Sequence, residues 1–254
     1  MGTILLKKET VMIEFYELND SDSGDSRIEV DLSLMDESPD LERPWLLWLF
    51  VKVSDGTDKE FVAFRDDLIQ TLEAQMEARY AGTVTKEGWS ELYFYASTSK
   101  KFENLTSETM SRHTPYTYER GSFKDTKWEM YLEKLYPEPY ALITIQNRET
   151  IAALVDAGDD LTLSREVEHY LFFQTPTALE RFANSMIEQG YAMKEHLTND
   201  ESEYSYGVTL SKNECITPKQ VEESTSLLFE LVMQEHGIYE GWSTVLGGEN
   251  HGVE

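Results

Sequence analysis

The sequence predicts an α+β protein of two tandem ferredoxin-like (split βαβ) domains, each an antiparallel sheet with its helices on one face. Three observations carry that expectation. Residues 165–246 read strand, helix, strand, strand, helix, strand; both helices of that block open on the same signal, Thr175-Pro176 and Thr217-Pro218; and the first half of the chain repeats the same order of elements. Right-handed crossovers close such an order into a four-stranded sheet with both helices on one side.

The elements follow in chain order. The apolar run Ile4-Leu5-Leu6 is too short for a membrane span or a signal-peptide core, so residues 1–11 read as a loose leader with Met12 as an alternative start. Residues 13–18 and 28–34 are apolar-rich and separated by a polar, turn-rich stretch, which predicts a hairpin with a long loop. Residues 45–53 are apolar on both alternating faces, the pattern of a central strand covered on both sides. Phe61, Phe64, Leu68, Leu72, Met76 and Tyr80 recur every three or four residues and predict one amphipathic helix. Strands are expected at 82–84 and 92–96 around the turn Lys86-Glu87-Gly88, then a weaker helix at 102–112 and a closing strand at 116–119. Residues 128–136 predict a helix ended by Pro137-Glu138-Pro139, because proline disfavours helical geometry in the residue before it. A further helix is expected at 148–156, and Gly158-Asp159-Asp160 reads as the linker. The expected domains are therefore 12–158 and 159–254.

In the second half, residues 167–173 read as a strand, and Leu179, Phe182, Met186 and Ile187 line a helix stopped by Gly190. Strands at 191–197 and 204–210 flank Asn199-Asp200-Glu201. Val221, Leu228, Leu231 and Val232 mark the last helix, ended by Gly237, and 238–246 close the sheet. Proline suits the first helical position, where its missing N–H has no partner to lose, and the preceding threonine caps the first turn. Gln220, three residues after Thr217, predicts a capping box at the second helix.

Length and composition bound the function. At 254 residues the chain accommodates two domains, and 40% hydrophobic with 12% aromatic residues supplies enough apolar surface for folded cores. Lysine plus arginine number 22 against 48 aspartate plus glutamate, a formal net charge of -26. Nucleic-acid binding draws on cations that displace counterions from phosphates, so this charge argues against a direct RNA or DNA partner. The basic pairs Lys7-Lys8 and Lys100-Lys101 are each isolated beside acids. An acidic face for a basic protein partner is the sharper reading of the charge, and solubility the plainer one. The single cysteine, Cys215, can form no internal disulfide, which fits a reducing cytoplasm, and with no adjacent cation it reads as a packing residue.

Several constellations weaken on inspection. The five histidines, His113, His169, His196, His236 and His251, lack metal-ligand spacing. His169 alternates with Val167 and Leu171 and reads as a partly buried, hydrogen-bonded sheet residue. Glu-Gly-Trp-Ser occurs at 87–90 and 240–243, but neither copy has the second glycine of a nucleophile elbow. Tyr170, Phe172, Tyr204 and Tyr206 could form an aromatic platform on the open face of the second sheet, yet Glu166, Glu168, Glu201 and Glu203 flank them where an RNA platform wants cations. No catalytic, cofactor or metal residue is nominated.

Glu168-His169, the helix ending Glu188-Gln189-Gly190-Tyr191 and, above all, Ile238-Tyr239-Glu240-Gly241-Trp242-Ser243-Thr244 after a long acidic helix resemble the protein regulators of ribonuclease E activity, type B. That resemblance covers about a third of the chain. It implies the same split βαβ fold and a non-enzymatic member that binds an endoribonuclease to restrain RNA decay. The chain departs from that family in lacking its strongly acidic tail: residues 247–254 supply none. Arg43-Pro44-Trp45-Leu46-Leu47-Trp48 and Glu91-Leu92-Tyr93-Phe94-Tyr95-Ala96 resemble a separate bacterial family known only as a domain of unknown function.

The resulting expectation is a cytoplasmic, non-enzymatic binding protein whose partner is a protein, an RNA-processing nuclease on the resemblance. Contact is expected through the acidic helix, Glu222, Glu223, Glu230 and Glu235, and the strand carrying Tyr239, Glu240, Gly241 and Trp242. The alternative is a hydrolase or transferase with its site between the domains.

Overall fold

Aromatic and aliphatic side chains at alternating strand positions and on single helix faces divide the chain into two compact units, Met1–Pro137 and Glu138–Glu254. The computed structural model describes residues 12–20, 24–53 and 56–247. The expected leader with Lys7-Lys8, and the ending with His251, lie outside the described residues.

The first unit has a six-stranded antiparallel sheet in the order β1-β2-β4-β5-β3-β6. Its strands are β1 (Ile13–Asp20), β2 (Gly24–Asp31), β3 (Trp45–Lys52), β4 (Arg79–Lys86), β5 (Trp89–Ala96) and β6 (Tyr118–Lys124). Helix α1 (Lys59–Met76) links β3 to β4 and α2 (Phe102–Met110) links β5 to β6. β3 to β6 form the split βαβ core, and the β1-β2 hairpin extends it at the β4 edge. That hairpin does not have the long loop expected. Its ladder runs through the polar stretch to Asp20 opposite Gly24, and residues 32–34 leave the strand for a short 3₁₀ turn, Leu32–Glu37.

Helix α1 begins where the Asp58 carboxylate accepts from the Glu60 and Phe61 N–H groups, and it ends at Glu77, whose φ of 52° is left-handed. Tyr80, expected on the helix, is therefore in β4. Its four-residue spacing from Met76 mimics a helical repeat because both side chains reach the same core. That core also holds Leu47, Leu49 and Val51 of β3 and Leu92 and Phe94 of β5. β3 is central, as the sequence predicts. The sheet's other face is partly covered, beside β5, by residues 125–136, where the expected helix contains a single π-helical turn, Tyr131–Leu135. Trp128 stacks on Tyr95 with ring centroids 3.9 Å apart, and the Asp125 carboxylate accepts the Tyr95 hydroxyl at 2.7 Å.

The second unit has a four-stranded antiparallel sheet ordered β10-β7-β9-β8. Its elements are α3 (Pro139–Asp156), β7 (Arg165–Phe173), α4 (Pro176–Glu188), β8 (Ala192–Thr198), β9 (Tyr206–Glu214), α5 (Pro218–Gln234) and β10 (Ile238–Thr244). The order is again the split βαβ. Thr175 caps α4 as expected, its hydroxyl accepting from the Ala178 N–H at 3.3 Å. Thr217 does not form the expected capping box: its hydroxyl bonds the Gln220 side chain at 2.7 Å, so the glutamine is turned to the threonine side chain and away from the backbone N–H.

The unit boundary differs most from expectation. The chain divides after Pro137, not at Gly158, and α3 is one helix from Pro139 on, where only 148–156 was expected. The proline that ends the preceding segment opens α3 from its first turn, the position where its missing N–H is harmless. α3 then places Ile143 in the second unit's main core and Ile151 and Leu154 against Val167, Ile216 and Val221. The stretch read as a linker is a clamp. Arg165, buried, donates to the Asp159 carboxylate at 2.6 Å, the Asp160 carbonyl at 2.6 Å and the Val245 carbonyl at 3.2 Å, while the Gly247 N–H donates to Asp159 at 2.8 Å.

Two predictions follow from these contacts. A Cβ at Gly82 would lie 2.4 Å from the Glu29 carbonyl oxygen in the neighbouring strand, so Gly82→Ala is expected to destabilise the first unit by about 1–3 kcal/mol, read as a lowered urea midpoint. The Arg165 hydrogen bond, then the Gly247 N–H, hold the Asp159 carboxyl below the ordinary carboxylate range against the effect of burial. Folding thus lowers this pKa, so the clamp contributes above the unfolded value of about 3.9 and is lost as pH falls through the folded value. The stability gap between the natural chain and Asp159→Asn should be constant near neutrality and shrink below pH ~4; a gap unchanged at acid pH would count against the clamp.

Candidate functional site

β10 is an edge strand, and its pairing with β7 shifts register between Tyr239, opposite Leu171, and Gly241, opposite Tyr170. Glu240 is the extra residue of a β-bulge, and Gly241 has φ 133°, a conformation that side chains rarely adopt. The bulge reverses the alternation. Tyr239 and Trp242 consequently both face the helices, opposite Leu171 and His169, where an unbroken strand would have sent them to opposite faces.

Tyr239 is buried at 7% exposure, and its hydroxyl meets His169 Nδ1 at 2.8 Å. Burial first, then the neighbouring Tyr191 and Glu214, push the Tyr239 phenol well above its ordinary value, so it stays an O–H donor. When it donates to Nδ1, the imidazole proton sits on Nε2, 3.5 Å from Glu214 Oε1. His169 is thus the hydrogen-bonded sheet residue that its alternation predicts, and it is fully buried.

Trp242 is half-buried and packs, as Ile151, Leu154 and Leu161 do, against the buried cluster of Val167, Ile216 and Val221. Its indole N–H donates to Asn147 Oδ1 at 2.7 Å; Asn147 Nδ2 donates to Thr225 Oγ1 at 2.8 Å; and the Thr225 hydroxyl donates to the Val221 carbonyl at 2.8 Å. This chain joins β10, α3 and α5. Asn147 carries no sequence signal of its role, because both of its partners are far away along the chain.

The acidic residues separate by what they touch. Glu222 accepts the Tyr140 hydroxyl at 2.5 Å, and Glu235 is paired with Arg181 at 2.5 Å. Glu223 lies 3.7 Å from Lys219 with both side chains in solvent, and Glu230 is exposed about two turns further along α5. Glu240 is exposed at a separate crevice of about 230 Å³, which it lines with Gly241, Trp242, Tyr170 and Gln146 and Glu149 of α3. The expected residues therefore form an exposed acidic stripe on α5, a second acidic point at the bulge, and two internal aromatics.

The aromatic platform that the charge already disfavoured does not assemble. Tyr170 and Phe172 share the face away from the helices, but Tyr206 pairs with Phe173 on the helix side and Tyr204 precedes β9. Tyr170 is tied to Ser243 at 2.7 Å, and Phe172 lies over Gly207. Cys215 is half-buried, its thiol 3.0 Å from the Thr162 carbonyl. Among the described residues no group of three His, Cys, Asp or Glu could hold a metal ion, and no helix is long and apolar enough to cross a membrane.

Comparison with known proteins matches residues 144–244 to the family described as Regulator of ribonuclease activity B and residues 54–136 to a Family of unknown function (DUF695). The first match begins inside α3. A curated relative, the Regulator of ribonuclease activity B of Idiomarina loihiensis (strain ATCC BAA-735 / DSM 15497 / L2-TR), is 31% identical over 113 residues, covering 41% of this chain and 83% of the relative. A solved structure of an unknown protein from Galdieria sulphuraria covers 80% of this chain and 99% of its own at 9% identity, with a TM-score of 0.23 that is too low to carry an argument.

Replacing Asn147 by alanine leaves the indole N–H without its acceptor and Thr225 without its donor in a buried setting. Asn147→Ala is expected to lower stability by about 1–3 kcal/mol and to shift Trp242 emission to the red, measured with a Trp242→Phe variant to isolate its signal.

Proposed function

Because the chain belongs, through its second unit, to the family of regulators of ribonuclease activity B, we propose that it is a non-enzymatic cytoplasmic protein that binds a ribonuclease and restrains it. The observation that carries this reading is the family match from within α3 to the end of β10, which includes every strand and helix of the split βαβ unit. The resemblance at Tyr239 to Thr244 and the long acidic helix before it support the same reading.

Charge supports a protein surface as the point of contact and disfavours the RNA itself. A chain of formal charge -26 repels a polyanion and steers a basic protein region toward it. Glu223 and Glu230, exposed along one face of α5, and Glu240, turned outward by the bulge before Gly241, are the contact residues under this proposal. Glu222 and Glu235 add to the local field while engaged with Tyr140 and Arg181. Tyr239 and Trp242 act through position, holding β10 to the helices behind it.

The test is capture of the partner followed by its inhibition. The tagged chain, immobilised at physiological salt, is expected to retain a ribonuclease from extract, and the purified chain to slow RNA cleavage by that nuclease. Glu223→Lys with Glu230→Lys is expected to weaken the complex about tenfold, chiefly through slower association, with the difference shrinking at high salt. Cleavage unaffected by a folded chain in excess would reject the proposal.

A further inference from the structure

The second unit carries an apolar groove of about 440 Å³ that the acidic residues do not explain. Pro139 of α3, Phe229 and Met233 of α5 and Ile238 of β10 line it together with Ile143 and Tyr239. Ile143 and Tyr239 are buried at 4% and 7% exposure, whereas Met233 is 48% exposed, so the groove has a buried floor and an open lip. An exposed methionine at such a lip adapts to the shape of what it covers. The volume lies at the small end of the range for concave sites, about 300–1,000 Å³, and suits one bulky anchoring side chain.

The rim states what kind of segment carries that anchor. Glu230 follows Phe229 in the same turn, and Glu222 accepts the hydroxyl of Tyr140, next to Pro139. Both carboxylates act on that hydroxyl, which is raised above its ordinary value by burial first and then by these acids. Among the described residues neither glutamate has a lysine or arginine within ion-pair distance, unlike Glu235, which Arg181 holds. The groove is thus mainly apolar, with Gln174, Tyr204 and His236 as its further lining, and its flank is negative with no lysine or arginine paired to it among the described residues.

We propose that this groove receives one aromatic or long aliphatic side chain from a segment of the partner protein that carries lysines or arginines on either side of it. The inference rests on the reading of the chain as a protein-binding regulator and adds the place and chemistry of the anchor. A second copy of the chain fits the groove poorly, since it would bring the same charge of -26 against Glu222 and Glu230. The apolar anchor contributes affinity by leaving water, and the flanking cations contribute orientation and rate.

The probe is a short synthetic peptide with one central tryptophan between pairs of arginines, titrated into the intact chain with ¹³C-labelled methionine and isoleucine methyl groups. The methyl signals of Met233, Ile143 and Ile238 are expected to move together. Met233→Asp, at a position exposed enough to leave folding intact, and tryptophan-to-alanine in the peptide are each expected to weaken binding about tenfold or more. Glu230→Lys should weaken it by a smaller factor and flatten its salt dependence, and a peptide with glutamates for arginines should not bind. Unmoved groove methyls at millimolar peptide, binding insensitive to Met233→Asp, equal binding of the glutamate peptide, or a dimer of the chain abolished by Met233→Asp would each overturn the proposal. Ribonuclease capture separates this inference from the reading beneath it. Capture and inhibition unchanged in Met233→Asp would reject the groove and keep the function; peptide binding at the groove without any nuclease inhibition would reject the function and keep the groove.

Discussion

Asn147 decides the organisation of the second unit. A buried amide on the inward face of a helix is expensive unless both of its ends are satisfied, and here the carbonyl takes the Trp242 indole N–H while the amide nitrogen reaches Thr225. That pair of bonds fixes the rotation of α3 about its axis. With α3 so oriented, Ile143 meets the main core, Ile151 and Leu154 pack with Trp242 on Val167, Ile216 and Val221, and Tyr140 reaches Glu222. A helix that could have belonged to either side of the boundary is committed to the family-like unit, and the groove between its first turn and the end of α5 exists as a result.

The bulge at Glu240 is the complementary constraint. It allows Tyr239 and Trp242 to face the same way, and only then can one side chain meet His169 while the other meets Asn147. Gly241 makes the bulge sterically available. The motif that carries the family resemblance is therefore first of all a device for seating an edge strand on its helices, and it presents Glu240 to solvent as a consequence of that seating.

The first unit solves the same packing problem with different means. Its sheet has α1 and α2 on one face, and its other face is partly covered by an aromatic segment around Trp128, Tyr95 and Tyr131. Asp125 organises that segment, accepting the Tyr95 hydroxyl and the N–H groups of Glu129 and Met130. Shared topology with the second unit is thus compatible with different surfaces, which is why the fold alone does not state a function.

The order of strands and helices, the Thr-Pro starts, the stop at Gly190 and the central place of β3 were all written in the sequence, because each depends on residues within one turn or one strand of one another, whereas α5 turns at His236, whose φ is 54°, one residue before the glycine expected to end it. The formal net charge of -26 can likewise be read from side chains alone, and it weighs against a polyanionic partner. Tertiary structure decided the rest. Tyr80 passed for a helix residue because strand and helix delivered it to one core; Tyr206 fell on the helix side through its pairing with Phe173; α3 took its allegiance from partners about eighty to a hundred residues away. A bulge of one residue inverts every alternation after it, and a buried amide finds its acceptor and donor only once distant elements meet, so the outward placement of Glu240 and the existence of the groove belong to the folded chain alone.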